Sequence, residues 1–227
     1  TNKIMLMKFF SIITILITYL TFSVGFSQDL TCEKNRKLCP EIDFRDLFLK
    51  NKIFYKKFAN MPFTGFVYGK QKGFIEKGKP VGPWLEFHKN GAIKIKGVIK
   101  NRVWDGPKFA YHDNGQLHYK SFYKNKKKEG PYILYYRDGT LEGKINYKNG
   151  KKDGPLEIYY DNGQLRYKGN FKNGMEEGKL LGYFKNGQTH FIQEYQKGVL
   201  DGYSITYFED GTIDKLNTGT YKNNKKI

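Results

Sequence analysis

Apolar and polar positions alternate in short runs along most of the chain, and the runs are punctuated by Asn-Gly or Asp-Gly. In Leu156-Glu157-Ile158-Tyr159-Tyr160-Asp161-Asn162-Gly163-Gln164-Leu165-Arg166-Tyr167-Lys168, two such runs flank one dipeptide. Asn-Gly between apolar-rich runs is a strong hairpin signal, because both residues of the tightest turn take positive φ. A two-residue turn at Asn162-Gly163 places Tyr160 opposite Leu165. The same register sets His88 against Ile93, His112 against Leu117, Tyr136 against Leu141, Phe184 against Thr189 and Phe208 against Ile213. Ring against branched aliphatic is a favourable cross-strand pair, ~0.2–1 kcal/mol each. A second turn follows each second strand, as in Lys148-Asn149-Gly150-Lys151-Lys152-Asp153.

The hairpins are copies of one unit. Glycine recurs every 24 residues at Gly82, Gly106, Gly130, Gly154, Gly178 and Gly202. Nine residues after each comes the turn dipeptide: Asn90-Gly91, Asn114-Gly115, Asp138-Gly139, Asn162-Gly163, Asn186-Gly187 and Asp210-Gly211. Five residues after each leading glycine stands Phe87, Tyr111, Tyr135, Tyr159, Tyr183 or Tyr207; the next position is a ring again. An acid precedes the later leading glycines: Asp105, Glu129, Asp153, Glu177 and Asp201. A short copy, residues 65–81, lacks residues at its hairpin tip, and the last copy carries two extra residues. Successive strand side chains point to opposite faces, so both faces are partly apolar and neighbouring copies must stack. The expected fold is all-β: an elongated antiparallel array of β-hairpins forming one twisted sheet. Lys222, Lys225 and Lys226 are placed to guard its last edge against strand addition.

The unit GPxxxYYDNGQLRYKGNFKNGKKDG closely resembles the bacterial variant of the MORN repeat, and Met61-Pro62-Phe63-Thr64-Gly65 resembles that family's opening phrase. The resemblance covers residues 61–227. Proteins built only from such copies behind a signal peptide are often labelled YwqK-like antitoxin components. The resemblance implies a binding or scaffolding role, antitoxin- or immunity-like in the family's label, and no catalytic residue to carry over.

The N-terminus reads differently. Residues 1–27 contain Lys3, Lys8 and no acid, then an apolar run from Phe9 to Phe26 and small residues at Gly25 and Ser27. This is the layout of a cleaved signal peptide, so the chain is expected to be exported to a periplasmic, cell-surface or secreted location. Residues 28–60 form a leader expected to cap the first copy with one or two strands or a short helix. Within it, Cys32 and Cys39 are candidates for a local disulfide in an oxidising compartment, or else two free thiols.

Charge and chemistry then narrow the function. The chain has 227 residues with a net charge of +18, or +16 without residues 1–27. Its 18 Tyr and 18 Phe set it apart from disordered chains. Of the four histidines, His88, His112, His118 and His190, the first two occupy the ring column, too far apart to share a metal; His112 and His118 lie across one hairpin but lack a third metal ligand. The acidic column reads as turn capping. No phosphate loop, metal helix or catalytic triad stands out. We expect no enzyme, cofactor, metal or small-molecule substrate. The candidate binding surface is the tyrosine column Tyr111, Tyr135, Tyr159, Tyr183 and Tyr207 with the lysine column Lys124, Lys148 and Lys172, which Lys100 precedes. The partner is expected to be a protein, a toxin in the immunity-like form, or an anionic envelope surface of lipid or polysaccharide. Export disfavours nucleic acid.

Overall fold

A computed structural model of the chain describes residues 40–227. The signal segment and the Cys32–Cys39 pairing lie outside the described residues.

The repeat unit is a hairpin. In the copy led by Gly154, strand Lys151–Tyr159 returns as Leu165–Lys172, pairing Leu156 with Gly169 and Ile158 with Tyr167. Each second strand pairs onward with the next copy, as Tyr167 does with Gly182. The result is one long sheet of 18 strands. It is mixed rather than purely antiparallel, because Glu41–Asp43 runs parallel to Gly65–Tyr68. That strand enters from outside the repeats, so no hairpin dictates its direction.

The two kinds of turn depart from expectation in an instructive way. The Asn-Gly turn after the first strand is a three-residue loop. The Tyr160 N–H donates to Gln164 O at 2.8 Å, and the Gly163 N–H donates back to Tyr160 O at 3.0 Å. Of the Asn162-Gly163 pair only the glycine has positive φ, +82°, as in a type I turn closed by a glycine bulge. The pairing therefore slips by one: Tyr159, not Tyr160, faces Leu165. Likewise Phe87 faces Ile93, Tyr111 faces Leu117, Tyr135 faces Leu141 and Tyr183 faces Thr189, with Tyr207 bridging to Ile213. The cause is the turn side chain. Asn162 Oδ1 accepts the Gln164 N–H at 3.1 Å, and Asn90, Asn114, Asp138, Asn186 and Asp210 do the same two residues on. This Asx bond competes with the tighter turn.

The two-residue turn with two positive φ values occurs at the other end of the hairpin. Asn149 and Gly150 have φ of 52° and 84° between paired Lys148 and Lys151. Asn101-Arg102, Asn125-Lys126 and Asn223-Asn224 share that conformation without glycine. The strand has resumed at Lys151 when it reaches Asp153-Gly154. The leading glycine thus sits at a bulge, where the register shifts opposite Ile145 to Tyr147, rather than in the turn.

Before the repeats, Phe44–Asp46 makes a single 3-10 turn capped by Asp43, and Leu47–Lys50 pairs with Ile53–Lys56 as a separate hairpin. This leader folds over one face of the first copies. Leu47 packs with Phe63, Val67, Ile75 and Trp84, the last two 0% and 2% exposed. Phe44 meets Trp84 edge-on at 6.5 Å, and Ile99 and Trp104 pack against the same cluster. We call this side of the sheet the capped face and the other the open face. Beyond the cap the sheet is a single layer whose rings are mostly half-buried, so each contributes less than the ~1.5–3 kcal/mol of full burial.

The two extra residues of the last copy form a local turn. Asp214, 9% exposed, accepts from the Leu216 and Asn217 N–H groups, and the strand resumes at Gly219. At the same end the Lys226 ammonium donates to Lys215 O and Leu216 O, while Lys222 pairs with Asp201 at 3.1 Å.

Candidate ligand-binding face

Alternation along each strand, together with the pairing register, assigns every side chain to a face. The capped face carries Trp84 and, further along, Lys108, Tyr119, Tyr123, Lys128, Tyr132 and Tyr147 by register. Here cations lie on rings: Lys108 Nζ is 4.8 Å from the Trp104 centroid and Lys128 Nζ 3.9 Å from that of Tyr132. Burial among neighbouring tyrosines pushes the Tyr132 hydroxyl up to about 12. Burial, with Lys108 nearby, lowers the Lys128 ammonium.

The open face carries both candidate columns. Tyr159 shares it with Glu157, to whose carboxylate it donates at 2.8 Å. Lys148 and Lys172 continue the alternation of Lys144 and Lys168 on their strands. The tyrosines of the candidate set are half-buried near the first turns, and Lys124, Lys148 and Lys172 are exposed near the second turns. The two columns share a face but occupy opposite margins of it.

What lies between them went unnoticed in the sequence. Following the pairs across the sheet gives one continuous row: Lys72, Leu85, Lys96, Phe109, Lys120, Ile133, Lys144, Glu157, Lys168, Leu181, Ile192 and Ile205. All five lysines of this row are exposed. The one acid in the row, Glu157, lies 4.0 Å from Lys144. The signal was present, since Lys96, Lys120, Lys144 and Lys168 recur every 24 residues; only the register shows that this column runs down the centre of a face.

The remaining columns tie copies together. The ring N–H of His88 donates to Tyr111 O at 2.9 Å and that of His112 to Tyr135 O at 3.2 Å; a carbonyl can only accept, so Nε2 carries the proton. In the same place the Tyr136 hydroxyl donates to Tyr159 O at 2.6 Å and the Tyr160 hydroxyl to Tyr183 O at 2.9 Å. The acids reach onward too: Glu129, Asp153 and Glu177 accept the Asn149, Asn173 and Lys197 N–H groups of the next turn. The His112 and His118 rings lie against each other, centroids 4.4 Å apart and planes tilted by 31°. Burial, then the His112 charge, lowers the His118 imidazole.

Two shallow depressions lie at the margins of the sheet. One of about 390 Å³ lies by the first turns and reaches onto the capped face; His88, Lys94, His112, Asp113, Tyr119 and Arg137 line it, Asp113 pairing with Arg137. The other, about 580 Å³, lies by the second turns, where Lys127, Lys148, Lys151 and Lys172 face Asp153. Both are open to solvent rather than enclosed cavities.

No curated protein matches the chain. Residues 104–125, 128–149 and 152–173 each match the MORN repeat variant, and each matched stretch spans one hairpin from one two-residue turn to the next. Three consecutive copies of this array are thus similar to that repeat, a type that is generally non-catalytic.

Proposed function

We propose that the protein is a non-enzymatic, exported binding scaffold that receives an acidic partner on the open face of its sheet. The observation carrying this reading is the central row in which exposed Lys72, Lys96, Lys120 and Lys144 stand on every second strand. Like charges so aligned repel one another, and an anionic ligand relieves that repulsion. The tyrosine and lysine columns at the margins add hydrogen-bond donors on the same face, and the basic-then-apolar pattern of residues 1–27 supports export.

The experiment is binding of the full chain to carboxylate-coated beads over a salt series. Binding should fall steeply with salt. The exposed-site double substitution Lys96→Glu with Lys120→Glu should weaken it at least about tenfold, whereas Lys50→Glu with Lys57→Glu on the leader should leave it nearly unchanged. Equal losses from both pairs would reduce the effect to net charge and remove the face from the reading.

A further inference from the structure

We infer that the open face binds a linear acidic polysaccharide bearing one anionic group per disaccharide, laid across the strands. This rests on the acidic-partner reading above and gives it a chemical class. Neighbouring strands are about 4.8 Å apart, so lysines on every second strand stand about 9.6 Å apart. The positions midway between them are Leu85, Phe109 and Ile133. The face therefore presents charge, apolar patch, charge, apolar patch. A chain of linked pyranose rings advances by one disaccharide over about the same distance, and turns a C–H face toward the sheet between its charges.

Other polyanions do not keep step. An extended acidic peptide brings like side chains to one face every ~6.8 Å. Duplex DNA places phosphates every ~3.4 Å along a strand and is stiff. The sheet twists by roughly 20–25° per strand, so its ligand must coil along it, which flexible glycosidic links permit. The row also sets a length. Glu157, 4.0 Å from Lys144 and bonded by Tyr159, breaks the alternation, leaving Lys72, Lys96, Lys120 and Lys144 as four consecutive contacts.

The test is calorimetric titration of the full chain, at low ionic strength, with size-fractionated hyaluronate, which has one carboxylate per disaccharide. Poly-glutamate and duplex DNA are run in parallel. Affinity should climb with hyaluronate length to about four disaccharides, one for each lysine at the ~9.6 Å spacing, and then level off. Lys96→Glu with Lys120→Glu should cost at least about tenfold with circular dichroism and melting temperature unchanged. Tighter binding of poly-glutamate or DNA, still lost in that variant, would overturn the polysaccharide and leave the acidic-partner reading standing. No binding of any polyanion, or binding indifferent to the variant, would overturn both.

Discussion

Asn162 and Gly163 divide the work of their turn. The glycine supplies the positive φ of +82°, and a Cβ added to it would touch nothing. Gly163→Ala should therefore cost only the left-handed strain, about 1–2 kcal/mol, read as a lower urea midpoint. The asparagine supplies the Asx acceptor, and its Nδ2 donates across the copy boundary to Lys185 O at 2.9 Å. Asn162→Asp keeps the acceptor but loses that donor, so it should cost about 0.5–1.5 kcal/mol; Asp138 already stands in this state. Elsewhere the glycine constraint is packing. A Cβ on Gly182 would run into the Phe191 ring, so Gly182→Ala should destabilise by about 1–3 kcal/mol, with Phe191→Leu restoring part of the loss. His118 adds a pH term. Its folded imidazole is held below the ordinary value of 6.5, so the unfolded chain binds more protons as acid is added. Stability should decline as pH falls through and below 6.5, and His118→Gln should flatten that decline in thermal melts.

At the scale of the hairpin, the strand pairing that joins one copy to the next is reinforced by a set of side-chain bonds to backbone groups 20 or 23 residues onward. The ring column shows it most directly. His88, His112, Tyr136 and Tyr160 each donate to the next copy's carbonyl, whereas Phe184, in the same position, has no donor. Phe184→Tyr should place a hydroxyl toward Tyr207 O and raise stability by about 0.5–1 kcal/mol; Tyr160→Phe should lower it by a similar amount. Differential scanning fluorimetry on the two variants checks both signs. The ion pairs Arg137–Asp113 and Lys185–Asp161 also join successive copies, but they are exposed, and salt should erase what little they add.

Across the whole described sheet, the capped end and the open array differ in kind. Both tryptophans, Trp84 and Trp104, belong to the cluster under the leader, so tryptophan fluorescence reports the cap, while circular dichroism reports the array. Trp84, 2% exposed, is the heaviest anchor, and Trp84→Ala should cost about 3–5 kcal/mol. The array is a sum of similar units and near-neighbour contacts. Deleting residues 130–153, one full period, should leave a folded, shorter sheet with the fluorescence transition nearly unmoved; collapse of both signals together would mean that the sheet is stabilised as one body.

Period, hairpin content and the absence of helices from the repeats were legible in the chain itself, because local turn chemistry and strand alternation repeat too regularly to mean anything else. Asn-Gly announced its hairpin, yet not which of two turn geometries it would take. That choice lay in whether Asn162 Oδ1 bonds the Gln164 N–H, and it moved Tyr160 out of register with Leu165. Tertiary structure alone decided the parallel entry strand, the leader's choice of face, and the gathering of Lys72, Lys96, Lys120 and Lys144 into one central row. The physical reason is common to all three. A strand's composition says which residues alternate, but facing partners are set by the bulges and loop lengths that fix register between strands, and these depend on hydrogen bonds between residues far apart in the chain.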